Sequence, residues 1–324
     1  MATYKEIFGK QVKQVSSDPS AAVSEGQIWF NTDAGVFKTA LNVGAWSSGG
    51  NLGTAKYNLM SANGAPSTAA LAFGGGGPSA LSSTEEYGGT SWTAGGALPT
   101  GKFAGAGAGT QTAGLSFGGR PPSSGATTTE EYDGSSWTGG GAMPVAKMGL
   151  AGCGIQTAAL AFGGSPPTRN TTEEYSSSSW TAGGTLSVAF EDAAGAGTQT
   201  AGLKFGGRST PTQTTEKYNG SSWTTSGLMN TGRGYLAGAG IQTAALGYGG
   251  KTLPSTYQTS TEDFNGSTWT TSSATMAVTR IQFGGTGATS SGALAFGGEN
   301  AGAGSIATTE EYEKAITTKT LTSS

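Results

Sequence analysis

The chain contains no histidine and a single cysteine, Cys153, among 324 residues. These two shortages exclude a Cys/His zinc site, a histidine-based catalytic triad and an intrachain disulfide. Charge is scarce too: 17 Lys and Arg against 20 Asp and Glu leave a net charge of −3, and charged residues are 11% of the chain. Binding nucleic acid through its phosphates requires a basic stripe, so nucleic acid is not an expected partner. No apolar run reaches the length of a membrane span. The opening Met1-Ala2-Thr3-Tyr4-Lys5-Glu6 lacks the basic-then-apolar pattern of a signal peptide. The expectation is a soluble protein, not inserted in a membrane, with no metal and no cofactor.

Glycine, in contrast, is abundant at 58 residues, and it is periodic. An aromatic followed by two glycines occurs at Phe73, Phe117, Phe162, Phe205, Tyr248 and Phe296. The intervals are 44, 45, 43, 43 and 48 residues. An acidic stretch before an aromatic follows each time, ending at Tyr87, Tyr132, Tyr175, Tyr218, Phe264 and Tyr312. Tryptophans recur at 46, 92, 137, 180, 223 and 269. A repeat of roughly 40–50 residues with strand-like content predicts β-propeller blades of four short strands. In the second repeat the strands are expected at Ala104–Ala108, Thr112–Phe117, from Glu130 to Tyr132, and at Ser136–Thr138. Asp133-Gly134 and Asn219-Gly220 are hairpin turn signals. The expected fold is all-β: a six-bladed propeller of four-stranded antiparallel blades with a short N-terminal extension.

The order of these marks resembles the kelch repeat. The third copy shows it well, with Met143-Pro144, Lys147, Phe162-Gly163-Gly164, Tyr175 and Trp180. The resemblance covers about residues 40–312 and implies a kelch-like propeller. The Gly-His and Trp-Asp marks of a WD40 repeat are missing. Kelch-like propellers include a copper oxidase class with histidine and tyrosine ligands, which the absence of histidine excludes here. Cys153 stands where other copies have Ala108, Ala196 and Ala239, which reads as a small buried residue. Asp133-Gly134-Ser135-Ser136-Trp137 is one residue short of a sialidase Asp-box, and the arginine cluster of a sialidase is missing. Glutamates at 85, 130, 173, 216, 262 and 310 recur in every copy, as a structural role does. The tryptophans read as packing between blades, and the Gly-rich runs lack the Lys-Ser/Thr and helix of a phosphate loop. No enzymatic activity is expected.

Residues 1–45 precede the repeat. Tyr4, Phe8, Val12 and Val15 share one helical face, and Ser16-Ser17-Asp18-Pro19 ends that short helix. Gln27 to Lys38 reads as a hairpin turning at Thr32–Gly35. Its Gln-Ile-Trp-Phe-Asn-Thr run, and the opening Met-Ala-Thr-Tyr-Lys-Glu-Ile-Phe-Gly-Lys, are similar to segments of tailed-phage virion proteins, especially those of marine phages. That resemblance implies a bacteriophage structural or adhesion protein, such as a tail fibre component in host recognition. It would be assembled in the host cytoplasm and located in the virion. Its partners would be tail, baseplate or capsid proteins, with a host surface protein or glycan at the propeller. The competing expectation is a bacterial sugar- or protein-binding kelch propeller without a virion role. Tyr4, Phe8, Val12, Trp29 and Phe30 are the expected attachment residues.

Three structural expectations complete the reading. The propeller spans residues 46–312, closed by the Trp46 strand, and 313–324 is a tail; the alternative is closure by residues 315–321. Loops after the Gly-Gly pairs are expected on one face as the binding surface, with Arg120, Arg169, Asn170, Arg208, Lys251 and Tyr257. Finally, each copy is expected to hold an ion pair: Lys56–Glu86, Lys102–Glu131, Lys147–Glu174, Arg233–Asp263 and Arg280–Glu311. The fourth copy would carry the reversed pair Glu191–Lys217.

Overall fold

The structure is a computed structural model that describes residues 12–19, 27–77, 79–121, 125–165, 170–208, 213–252 and 254–321. Among them every regular element is a β-strand. Five repeats fold as separate four-stranded antiparallel blades of a propeller, whereas six were expected. Blade one is Met60–Ser61, Leu71–Phe73, Thr84–Tyr87 and Trp92–Gly95. Blade two is Ala106–Gly109, Gly114–Phe117, Thr129–Tyr132 and Trp137–Gly139. Blade three is Ala151–Ile155, Ala158–Phe162, Thr172–Tyr175 and Trp180–Ala182. Blade four is Ala194–Thr198, Ala201–Phe205, Thr215–Tyr218 and Trp223–Thr225. Blade five is Ala237–Ile241, Ala244–Tyr248, Ser260–Phe264 and Trp269–Thr275.

The sixth repeat does not make a separate blade, because strands from the N-terminal segment add to its sheet. That sheet has six strands, in the order Lys13–Val15, Ile28–Asn31, Val36–Gly49, Thr309–Thr320, Gly292–Phe296 and Gly284–Thr289. Trp46 therefore lies on the strand beside Thr309–Thr320, and residues 315–320 continue the Tyr312 strand instead of returning beside it. By compactness the chain divides into Met1–Ala45 with Glu313–Ser324, and Trp46–Tyr312. Within the second unit the innermost strands of the five blades and Gly284–Thr289 neighbour one another in a closed circuit.

The aromatic-Gly-Gly marks are explained by backbone geometry. Gly74 has φ +62°, and a Cβ there would lie 2.5 Å from the Lys102 carbonyl of the next blade. Only glycine combines that conformation with that approach. Between sheets the core is built from alternation. Leu115 and Phe117 of blade two pack with Ala159, Ala161 and Trp180 of blade three. Bulk on one face thus meets small residues on the next.

Each of the six repeated tryptophans also fastens its sheet to the preceding one. The indole N–H of Trp137 donates to Thr84 at 2.9 Å, Trp180 to Thr129 at 2.9 Å, Trp223 to Thr172 at 2.8 Å and Trp269 to Thr215 at 2.9 Å. Trp46 and Trp92 continue the series to Thr261 and Thr309, both at 2.9 Å, and so carry it through the closing sheet. A second series runs from tyrosine hydroxyls to glutamates one sheet back. Tyr132 donates to Glu86, Tyr175 to Glu131 and Tyr218 to Glu174, each at 2.5 Å, and Tyr87 donates to Glu311. A third uses glutamines: Gln156 Nε2 donates to the carbonyls of Gly114 and Tyr132, and Gln111, Gln199 and Gln242 do the same at their own junctions.

These contacts correct the expected ion pairs by one residue. The cations pair with the first glutamate of each acidic stretch. The distances are 2.8 Å for Lys56–Glu85, 2.5 Å for Lys102–Glu130, 2.6 Å for Lys147–Glu173, 2.5 Å for Arg233–Glu262 and 2.6 Å for Arg280–Glu310. The physical reason is strand alternation. Glu86 shares a strand face with Thr84, and both look at the next blade. Glu85 looks the other way, where Lys56 lies. Glu131, Glu174 and Glu311 are likewise taken by tyrosines, and Asp263 is the carboxylate of that slot in blade five. The pairs are buried: the side chains of Lys56, Lys147, Arg233 and Arg280 are 0% exposed.

Blade four also departs from expectation. Glu191 and Lys217 do not pair: Glu191 meets Arg208 at 3.3 Å, while Lys217 donates to the Gly266 carbonyl and lies 5.6 Å from the Phe264 ring. Phe190 fills the lysine slot. The cation comes instead from Lys204 on the second strand. Its ammonium donates to Thr214 Oγ1 at 2.5 Å and lies 4.6 Å from the Phe190 ring centre. In blade three Lys147 donates to the equivalent Thr171.

In the N-terminal unit, Lys13–Val15 is a strand parallel to Trp29–Asn31, not the end of a helix. Backbone pairing claims these residues; Val12 is outside regular structure, and Tyr4 and Phe8 lie outside the described residues. Ile28–Asn31 and Val36–Thr39 are antiparallel, with Asn31 opposite Val36.

Candidate functional site

Six residues stand at equivalent points just before the innermost strands: Asn58, Ala104, Gly149, Asp192, Tyr235 and Gln282. All are left-handed, with φ of 50°, 55°, 62°, 55°, 58° and 54°. The conformation turns each N–H toward the carbonyl of its counterpart one sheet back. Ala104 donates to Asn58 at 2.9 Å, Gly149 to Ala104 at 2.7 Å, Asp192 to Gly149 at 2.8 Å and Tyr235 to Asp192 at 2.8 Å. Gln282 donates to Tyr235 at 3.4 Å, and Asn58 closes the ring on Gln282 at 2.6 Å. Five non-glycine residues in this region cost about 1 kcal/mol each relative to ordinary backbone. The ring holds them there.

The ring is the mouth of an axial chamber. A cavity of about 100 Å³ lies at the ring, and another of about 100 Å³ lies deeper, among Ser61, Gly107, Gly152, Gly195 and Gly285. The far end is crossed by Ala62–Ala65. Asn63 donates to the Gly152 and Gly195 carbonyls, and Thr286 Oγ1 donates to those of Ala62 and Ala65. Gly64 packs closely there: a Cβ would sit 3.1 Å from the carbonyls of both Gly109 and Gly154.

The residues after the Gly-Gly pairs meet the ring's neighbours. Arg120 pairs with Phe103, Ser165 with Met148 and Lys251 with Gly234 by backbone bridges, and the Arg208 N–H donates to Glu191. Of the expected binding residues, Arg208, Lys251 and Tyr257 converge. Arg208 lies 3.3 Å from Glu191 and 3.4 Å from Asp192, with its guanidinium 5.0 Å from the Tyr235 ring. The Lys251 ammonium is 5.1 Å from the same ring and 5.9 Å from that of Tyr257. Burial, and next Glu191, push the Asp192 carboxyl up to about 7, while Arg208 and Lys251 act the other way. Arg120 belongs to blade two, two places round the circuit from blade four, and lies 5.8 Å from the Phe103 ring. Asn170 lies at a blade edge, its carbonyl accepting from Leu186. Arg169 lies outside the described residues. Tyr235 and Asp192, central to the cluster, were not among the expected binding residues. Their sequence signal is position alone, two residues after Arg233 and Phe190 in the cation slot.

Of the attachment residues, Trp29 is buried, its indole donating to Asp18 at 3.2 Å. Phe30 points to the opposite face and meets Phe37, with ring centres 5.0 Å apart. Cys153 is buried, which pushes its thiol up to about 12, so it is no nucleophile.

Radial four-stranded sheets around an axial chamber define a β-propeller. The chain is similar to the solved structure of YjhT, with a TM-score of 0.67 and 13% identity, covering 83% of this chain and 99% of that one. At that identity the likeness is one of fold. No protein-family model and no curated protein matches the chain.

Proposed function

We propose that this protein is a non-enzymatic binding module: a virion structural or adhesion protein of a tailed phage, presenting the channel mouth to a host protein or glycan. In this reading the propeller is kelch-like and six-bladed, its sixth blade being Gly284–Thr289, Gly292–Phe296, the Thr309–Tyr312 part of its strand and the Trp46 strand. The observation that carries the binding role is the convergence of Arg208, Lys251 and Tyr257 with Asp192 and Tyr235 on a ring fixed by six backbone bonds. Functional side chains on a rigid frame at a concave opening are what recognition needs.

The virion role rests on the likeness of the N-terminal segment to tailed-phage proteins. Particle docking falls to the face carrying Phe30 and Phe37, together with the exposed Ile28. The second reading keeps the mouth and drops the particle: a sugar- or protein-binding propeller. Mass spectrometry of purified particles, with labelled-antibody electron microscopy, separates the two. Presence at a fixed particle position supports the virion reading, and absence from particles removes it. A glycan array then tests the mouth.

A further inference from the structure

The cavity of about 100 Å³ at the ring of left-handed residues is lined by Asn58, Asp192, Tyr235 and Gln282. Leu59, Leu150 and Leu236, each one residue beyond a ring position, belong to the same lining. Glu191, Arg208 and Lys251 stand nearby but do not line it. Among the described residues, Asp192 is therefore the one charged group on the cavity wall.

The Asp192 carboxyl leans over Gly149: a Cβ on that glycine would come within 3.1 Å of Oδ1. Oδ2 meets Arg208 at 3.4 Å, longer than a well-formed hydrogen bond, and shares that guanidinium with Glu191 at 3.3 Å. Oδ1 accepts no hydrogen bond among the described residues. Burial and Glu191 hold this carboxyl up at about 7 in spite of Arg208 and Lys251, so a further cation beside it would be stabilised. Tyr235 adds no charge of its own, because burial pushes its phenol up to about 12. The ring backbone adds acceptors and no donors. Its six N–H groups are all spent on ring carbonyls, while each of those carbonyls accepts one ring bond and has a second lone pair.

We propose that this cavity takes the ammonium end of a slim organic cation, with Asp192 Oδ1 as counter-ion and Leu59, Leu150 and Leu236 against the first carbons of its chain. This rests on the reading of the mouth as the binding face. An ammonium group has three donors and no acceptor, which matches a wall of one carboxyl and ring carbonyls. The apolar lining supplies burial and the carboxylate supplies orientation, as in small-molecule sites generally. A cavity of about 150 Å³ holds benzene, so this smaller one takes a narrow chain end and not a whole ring.

The test uses the full chain at pH 8 with n-butylammonium and its neutral counterpart 1-butanol, followed by leucine-methyl NMR titration. The expected result is shifts at Leu59, Leu150 and Leu236, with the ammonium bound about tenfold more tightly than the alcohol, the scale of one charge-assisted contact. Asp192→Asn should remove that preference without weakening the alcohol. Asn58→Asp, which adds a second carboxylate to the lining, should strengthen the ammonium and not the alcohol. Equal affinity of the two probes at these leucines overturns the cation assignment while leaving the mouth as a binding face. A preference that survives Asp192→Asn overturns the assignment of the counter-ion. Shifts confined to residues away from the mouth overturn both the assignment and the binding face. No binding of either probe overturns the cation assignment.

Discussion

The Lys204 ammonium lies 4.6 Å from the centre of the Phe190 ring, and the two residues have exchanged roles relative to blade three. Phe190 takes the place of Lys147, and Lys204 brings a cation to the same pocket from a neighbouring strand, at a position where blade three has Ala161. Lys204→Ala should therefore destabilise the protein by about 1–3 kcal/mol, because the buried Thr214 hydroxyl loses its donor and Glu216 loses the nearby ammonium. Adding Phe190→Lys should recover most of that loss. Urea unfolding of the two variants measures it; equal stability of single and double mutant would contradict the exchange.

The same lysine gives a pH signature. Burial lowers the Lys204 pKa to about 8, against the partial opposition of Glu216. Between that value and the unfolded pKa of about 10.4 the unfolded chain binds more protons, so stability rises with pH. The buried tyrosines act in reverse. Tyr132, Tyr175 and Tyr218 are pushed up to about 12, chiefly by burial, and lose stability above about pH 10. The melting temperature should climb from pH 8 to about 9.5, and Lys204→Met should flatten that climb.

Asp192 works in the acid direction. Its carboxyl is held near 7, above the unfolded value of about 3.9, so its stabilising contribution is complete below pH 4 and is lost as pH rises through 7. Asp192→Asn should be more stable than the parent at pH 8 and show a smaller decline between pH 5 and 8. A decline of unchanged size, followed by thermal melts across that range, would remove Asp192 as its source.

At the junction of blades four and five, two substitutions compensate each other. Lys217 and Phe264 stand where four other junctions have a glutamate and a tyrosine, and the ammonium lies 5.6 Å from the ring. Lys217→Glu alone turns a carboxylate toward an aromatic face and should destabilise. With Phe264→Tyr added, the hydroxyl–carboxylate bond of the other junctions should return. A double-mutant cycle should give a coupling of about 1 kcal/mol or more; a coupling near zero would mean the two changes are independent.

The repeat, its period and the all-β class were legible because aromatic, glycine and acid marks recur in the side chains themselves. The ring at the mouth was not. Asn58, Ala104, Gly149, Asp192, Tyr235 and Gln282 share no side-chain chemistry, because what they share is a backbone conformation and a hydrogen bond. The acid partners were misassigned by one position because two adjacent glutamates differ only in which strand face they occupy. Alternation from Trp137 and Thr84 carries that information. Lys204 was hidden for a related reason: the cation it replaces sits on another strand. The glutamine contacts, by contrast, had a visible signal in Gln111, Gln156, Gln199 and Gln242, each followed by Thr.

Strain in the ring is directly measurable at Ala104, whose φ of 55° suits glycine better than alanine. Ala104→Gly should stabilise the protein by roughly 1 kcal/mol, since the left-handed penalty disappears. Chemical denaturation would show it, and a loss of stability would mean the ring does not constrain this residue.

The central claim is that the channel mouth is the recognition surface. A photo-crosslinking residue placed at Tyr235 probes the mouth, and one placed at Thr157, in the hairpin at the far end of blade three, is the control. Purified protein is irradiated on intact host cells and its covalent adducts are identified by mass spectrometry. The account predicts a defined host-surface adduct from position 235, suppressed by Lys251→Met, and none from position 157. Adducts from position 157 alone would contradict it.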